Sequence, residues 1–335
     1  MKIKDRKLDH LRICIEENVE TGKTGLEDIT LVHKALPEID FNAIDMSIKF
    51  LGKTLKYPII FEAMTGGVDE ASRINKGVAS VAQEYGLGFG VGSQRAAIED
   101  PLLEETFRVR DVAPDVLLIA NLGGVQLNYG YSIKECEKAV GMIGADALAL
   151  HLNPLQEAVQ PEGNRDFSGL TKKINDVSKK LSCPVIVKET GCGISGDTAK
   201  ALNVSAFDIA GFGGTSWSLV ESHRSAGMEK EIGKSFSSWG IPTAQSIREV
   251  ALTGKPVIAS GGIRTGIDAA KSLALGAQCV GMALPVLTAW AVDGKKGVRD
   301  FLDVFIYELK ICMFLTGSRN VKELKGKIID DLETP

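Results

Sequence analysis

Residues 147–167 read ALALHLNPLQEAVQPEGNRDF. The run Ala147–Leu150 is short, apolar and suited to a buried strand. A dense group of hydrogen-bonding side chains follows it: His151, Asn153, Gln156 and Glu157, then, past Pro161, Glu162, Asn164, Arg165 and Asp166. Taken alone, a polar loop leading into a capped helix would account for this. The same arrangement recurs from Tyr57 onward, each time as an apolar run ending in glycine or polar residues with a helical stretch behind it. The other runs are Pro58–Ala63, Gly86–Val91, Val116–Ala120, Pro184–Val187, Ala206–Ala210, Pro256–Ala259 and Cys279–Met282, which makes eight in all.

None of the runs alternates strictly, as expected of parallel strands covered on both faces. Ser132 with Glu135, Ser246 with Glu249 and Thr265 with Asp268 have the spacing of capping boxes at helix starts. Eight repeats of strand and helix predict an α/β fold, a (β/α)8 TIM barrel, with a doubly wound sheet as the alternative. Residues 1–56 are expected as an N-terminal extension packed on the barrel, and residues 57–335 as the barrel domain. Residues 215–242 exceed an ordinary connection and are expected to form a lid or a subunit contact. Val286–Leu315 reads as a long helical segment.

With 44% apolar residues and a formal net charge of −4, the 335-residue chain can bury a sizeable core but lacks the basic surplus that nucleic-acid binding uses. No run approaches the ~18 apolar residues of a membrane span. The charged start MKIKDRKLDH has no signal-peptide core, so a cytoplasmic protein without nucleic-acid or membrane partners is expected. The six cysteines are dispersed, without a CxxC pair, which points to reduced thiols rather than disulfides or zinc. Cys192 has no neighbouring base in the sequence and is expected to be inert.

In such barrels the site forms where the strands end. Those ends carry Ala63, Met64 and Thr65 after the first run, Ser93 and Arg95 after the second, and Asn121 after the third. Lys188 ends the fifth, Thr215 follows the sixth, SGGIRTG (260–266) follows the seventh, and the eighth continues through Ala283 and Leu284. Glycines at the last two ends let backbone N–H groups close on an anion, and Thr265 opens a helix whose positive end is expected to face it. Together these make a phosphate site. If the phosphate belongs to FMN, Met64 and Thr65 line the ring, Ser93 and Asn121 bond its polar edge, and Lys188 offsets charge on the reduced ring. A lysine ending an apolar strand needs a partner, either an anion in the site or, in the blander reading, Glu189 or a loop carboxylate.

These residues resemble the type 2 isopentenyl diphosphate isomerases, FMN-dependent barrels that interconvert isopentenyl and dimethylallyl diphosphate. The likeness runs through DRKLDH, MTGG, GSQR, HLNPLQE with PEGNRDF, KETGCGIS, GFGGTSW, ASGGIRTG and GMALP, in that order along nearly the whole chain. HLNPLQE followed by PEGNRDF is its specific part. The resemblance implies that Arg6, Lys7, Arg95, His151 and Asn153 hold the substrate diphosphate, that Gln156 lies beside the reacting carbons, and that Glu157 binds Mg2+. Gln156, Glu157 and His151 are the implied catalytic group. Ala63, Met64, Thr65, Ser93, Asn121, Lys188, Thr215, Gly262, Arg264, Ala283 and Leu284 are the implied FMN contacts. NADPH as reductant and a homo-oligomer are expected with it. Asn164 departs from the aspartate expected in the PEGNRDF element.

The chemistry is consistent with these roles. A diphosphate calls for guanidinium, ammonium and a divalent cation, and Mg2+ prefers carboxylate oxygen and water. Moving a double bond adds a proton at one carbon and removes one from another, through a cation that an electron-rich reduced flavin stabilises. Either the flavin N5 or Gln156 carries the proton, and N5 is favoured because an amide is a poor acid. Glu221 is a weaker supporting candidate. A flavin-dependent hydroxy-acid dehydrogenase is the competing activity. It would want a histidine base near the last strands, yet the four histidines are His10, His33, His151 and His223.

Overall fold

A computed structural model describes residues 3–329, with side chains from Lys7 onward. All eight runs become strands of one closed parallel barrel. They are β1 (Ile59–Phe61), β2 (Gly88–Gly90), β3 (Leu117–Gly123), β4 (Ala147–Leu152), β5 (Val185–Glu189), β6 (Ala206–Asp208), β7 (Val257–Ala259) and β8 (Cys279–Met282), with β8 bonded back to β1. Both faces are apolar because both are covered. Ile60, Leu117, Ile119, Ile186 and Ile258 fill the inside, while Ile59, Phe61, Phe89, Leu118 and Phe207 belong to the larger core shared with the helices.

The segment before the barrel contributes to both cores. Helix α1 (Ile3–Glu16) buries Leu11, and Leu26 and Ile29 join the outer core. A hairpin of Ile48–Phe50 and Lys53–Leu55 places Phe50 and Leu55 in the inner cluster, at the strand starts and away from the strand ends. Thr30–Leu31 pairs antiparallel with Ile328–Ile329, tying the two ends of the chain together.

Four further helices border the strand ends. Helix α2 (Pro154–Val159) follows β4, while α3 (Trp217–Arg224) and α4 (Gly227–Ser235) fill the long connection after β6. After β7 comes α5 (Gly266–Ala274). The long helical segment after β8 is α6 (Leu284–Leu315), broken at Asp293 and Gly294, where both residues leave helical dihedrals.

Two of the three expected capping boxes form, at Ser132/Glu135 and Thr265/Asp268. The third does not. Ser246 lies buried inside the helix Thr243–Ala251, its hydroxyl bonded to both the N–H and the carbonyl of Ile194. Glu249 instead accepts the Gly196 N–H at 2.8 Å. Both side chains join this helix to the loop after β5 rather than starting a helix.

Candidate active site at the strand ends

Neighbouring strands in register bring polar residues onto one level. His151 of β4 pairs with Lys188 of β5, and Lys188 pairs with Asp208 of β6. Residues paired in parallel strands point to the same side, so these three face the barrel mouth together. Lys188 is buried, and its ammonium bonds Asp208 closely and Glu62 of the β1 end at 3.2 Å. The sequence reading offers an anion in the site or, in the blander version, Glu189 or a loop carboxylate; the partners are instead two carboxylates at strand ends, Asp208 and Glu62. Glu189 turns the other way and accepts the N–H groups of Thr190, Gly191 and Cys192. Burial alone would lower the Lys188 pKa, but Asp208 and Glu62 outweigh it and hold the ammonium above its ordinary value.

Above this floor lies a cavity of about 280 Å³. His151 stands in its wall with Nδ1 2.7 Å from the side-chain Oδ1 of Asn121, an acceptor that places the proton on Nδ1 and leaves Nε2 as an acceptor. Burial, and then the Lys188 charge, push its pKa down to about 4. The imidazole is neutral at physiological pH. Thr65 Oγ1, also in the lining, is buried without a hydrogen-bond partner, so a polar atom of a ligand would satisfy it.

The β7 and β8 ends meet the cavity as expected, but the helix end that faces it differs. The N–H groups of Arg264 and Thr265 bond Asp268, and that of Gly266 bonds Glu308 at 2.7 Å, so two carboxylates already occupy the start of α5. Helix α6 begins at the cavity with Ala283 as its cap residue and no side-chain cap bond. Its positive end is the one open to an anion. Gly262 beside it has φ +74, and a Cβ there would lie 2.6 Å from the Gly213 carbonyl oxygen, so only glycine lets the backbone pass. The Arg264 guanidinium bonds Glu20. An uncapped helix end, a glycine turn and an arginine suit a phosphate monoester, and the orphan Thr65 and Lys188 suit a polar ring edge. The residues fit FMN.

The other side of the cavity is built from the 151–167 stretch and from α1. Glu157 is buried and accepts from Asn153 Nδ2 at 3.1 Å, Gln160 Nε2 at 2.7 Å and the Asn164 N–H at 2.5 Å. Asn153 Oδ1 is buried with no hydrogen-bond partner. Gln156 is held at both ends of its amide, by Asn153 at 3.0 Å and by Glu221 of α3 at 2.9 Å. Glu221 also meets His10 of α1 at 3.0 Å and Arg224. Burial works to raise the Glu221 pKa, but the bonds from His10 and Gln156 and the Arg224 charge hold it below the usual range. Lys7 folds back within the same chain, with Nζ 3.1 Å from the Ser93 carbonyl oxygen. Arg95 bonds Glu99 and, at 3.0 Å, Asn164 Oδ1.

The residues to which the resemblance gives a role line this one cavity, except Arg6, whose side chain lies outside the described residues; Glu221, Glu162, Asn164, Arg165 and Asp166 are not part of the lining. Asn164, the departure in PEGNRDF, joins Arg95 and Gln126 through its carbonyl to Glu157 through its N–H. Four residues escaped the sequence reading or were undervalued: His10, Glu62, Asp208 and Glu221. Glu62 and Asp208 carried a visible signal, a carboxylate inside or at the end of an apolar strand run (IIFEA and AFDIA). Cys192 is half-buried, and burial, then the neighbouring Glu189 charge, push its pKa up and keep the thiol protonated.

The sequence pattern of the FMN-dependent dehydrogenase family matches residues 154–331. An isopentenyl-diphosphate delta-isomerase of Nostoc sp. is 49% identical over 328 residues, covering 96% of this chain and 93% of its own. One of Synechocystis sp. is 51% identical, covering 95% of this chain and 93% of its own. The chain belongs to the isopentenyl-diphosphate delta-isomerase family. A relative of the same description in Ignicoccus hospitalis is 49% identical, with 98% of this chain and 94% of its own covered. Among solved structures, flavocytochrome b2 with sulfite bound has a TM-score of 0.71 at 20% identity, covering 96% of this chain and 82% of its own. A mandelate oxidase reaches 0.64 at 18% identity, with 96% and 93% covered. At this identity the two likenesses show the fold alone.

Proposed function

We propose that this family member interconverts isopentenyl and dimethylallyl diphosphate over FMN, with the residues around the cavity in the following roles. The observation that carries the reading is Gln156, pinned through both ends of its amide, beside a neutral histidine and a buried carboxylate and opposite a floor built for flavin. Bound FMN in its reduced form would supply an electron-rich face for a cationic transition state and N5 as a proton carrier. NADPH is the reductant in this reading.

Lys7 and Arg95 would bind the diphosphate by charge-assisted hydrogen bonds, joined by Arg6, and Asn153 would orient it. A neutral His151 with Nδ1 committed to Asn121 must take a proton on Nε2 to donate to a phosphate oxygen, and a bound anion favours that step. Among the described residues no three histidine, cysteine, aspartate or glutamate side chains gather as a metal set. Mg2+ fits nonetheless through Glu157 and the unpartnered Asn153 Oδ1, because it takes its other ligands from water and substrate phosphates. There it would neutralise the diphosphate. Glu221, ionised and bonded to Gln156 and His10, would hold the amide side-on to the alkene and give a departing proton a negative group behind it.

A homo-oligomer in the cytoplasm is part of the reading. The exposed Met228, Phe236 and Trp239 around α4 support a subunit contact there, and no helix among the described residues is long and apolar enough to cross a membrane. The test of the reaction class is turnover in deuterium oxide, followed by NMR, with reduced FMN and Mg2+ present. Deuterium should enter the new methyl group of dimethylallyl diphosphate. Conversion without solvent deuterium would contradict the protonation route, and oxidation of 2-hydroxy acids in its place would return the competing dehydrogenase.

A further inference from the structure

The floor holds one more ionisable group than it needs. Lys188 brings one positive charge, while Glu62 and Asp208 bring two carboxyls, and all three are at least nine-tenths buried. Two carboxylates around one ammonium, shut off from water, leave an uncompensated negative charge, and a proton is the cheapest way to remove it. The hydrogen bonding says which carboxyl takes it. Asp208 is served on both oxygens, by Lys188 on one and by the Ser260 hydroxyl on the other, and that hydroxyl in turn accepts the Ala210 N–H at 3.0 Å. Glu62 shares Lys188 through Oε2, while its Oε1 is buried with no partner. A small cavity of about 10 Å³ lies against both carboxyls and Lys188. The space for Glu62 is reserved by Gly281 of β8, where a Cβ would come within 2.5 Å of Oε1.

We propose that Asp208 and Glu62 are positioning residues for the flavin, with Asp208 as the standing counter-ion of Lys188 and Glu62 as a neutral acid that keeps the floor free of net negative charge. This rests on the reading that Lys188 faces FMN. Burial, and then the Asp208 charge, push the Glu62 pKa up to about 8, against the pull of Lys188. The other ionisable groups coupled to the cluster are Cys279 of β8, which feels the Glu62 charge, His151, which burial keeps neutral beside Lys188, and Glu189, whose pKa burial pushes up to about 7 against the pull of its backbone N–H bonds and of Lys188. Below the Glu62 pKa the three groups sum to zero charge, and above it to minus one. A reduced flavin is the more electron-rich form, so an extra anion beneath it disfavours reduction. The preference of the site for reduced over oxidised FMN is therefore highest at neutral pH and falls as Glu62 loses its proton.

The test is the ratio of reduced-FMN to oxidised-FMN affinity in the holoprotein, measured by reductive titration against a reference dye from about pH 7 to about pH 9. Beyond the pH dependence of free FMN, wild type should lose about tenfold in this ratio, the effect of one unit charge inside a protein. Glu62→Gln, which keeps the shape and cannot ionise, should hold its neutral-pH value throughout. Asp208→Asn should shift the transition to lower pH, because Glu62 then becomes the only counter-ion. Infrared spectra of the flavin-free protein give a second readout: the carbonyl stretch of protonated carboxylic acid at neutral pH, which should lose the Glu62 component in Glu62→Gln and keep that of Glu189. If wild type and Glu62→Gln share one pH profile and the same acid band, the proposal is wrong. Failure of the wild-type protein to bind FMN would instead overturn the placement of Lys188 against flavin.

Discussion

Replacing Lys188 with methionine will destabilise the flavin-free protein by about 3–5 kcal/mol and abolish tight FMN binding. Methionine nearly matches the lysine stem in volume, so the loss will not come from a cavity. It comes from Asp208, which would be left buried with a negative charge and without its ammonium. Removing one member of a buried pair costs far more than the pair contributes in net stability, since the survivor keeps its desolvation penalty. The double variant Lys188→Met with Asp208→Asn should recover most of the stability and none of the flavin affinity. Urea unfolding and FMN titration of the two variants separate the effects. A single variant as stable as wild type would mean that Asp208 and Lys188 are not a charge pair.

Glu157→Gln will raise the Mg2+ concentration needed for half-maximal turnover by about 10–100-fold while leaving the spectrum of bound FMN unchanged. The substitution removes a hard anionic ligand and almost no volume. It also turns an acceptor into a donor among the amides of Asn153, Gln160 and Asn164, all of which now donate to this carboxylate. Part of the loss will therefore come from the loosened 160–164 loop. Gln160→Ala loosens the same loop and removes one hydrogen bond to the carboxylate but keeps its charge, so its Mg2+ requirement should stay much nearer wild type. Equal Mg2+ dependence in Glu157→Gln and wild type would remove the metal from Glu157.

The barrel was legible because each strand is buried on both faces and so reads as an unbroken apolar run between helical stretches. The HLNPLQE and PEGNRDF residues were legible because the β4 end, α2 and the following loop are consecutive in sequence. What the sequence hid depends on packing between distant segments. The partners of Lys188 come from β1 and β6, and only barrel closure brings Glu62 and Asp208 to its ammonium. The positive helix end was assigned to α5 because nothing near Gly266 reveals that Glu308 reaches it from α6. Ser246 and Glu249 have the spacing of a helix start, yet that spacing also occurs inside helices, and the hydroxyl is spent on Ile194. His10 and Glu221 meet only after α1 folds back across the cavity onto α3, a contact that no local pattern encodes.

The central claim is that a site built for FMN is used here for a reaction without net oxidation, in which the electron-rich reduced cofactor favours a cationic transition state. The direct measurement is the rate of dimethylallyl diphosphate formation from isopentenyl diphosphate by FMN-loaded protein with Mg2+, under exclusion of oxygen. It is made first with the flavin oxidised, then after reduction by NADPH or dithionite, with the flavin spectrum recorded throughout. The expected result is no turnover in the oxidised state and full turnover after reduction, with the flavin still reduced when the substrate is exhausted. Equal turnover in the oxidised state, or in protein stripped of FMN, would contradict it.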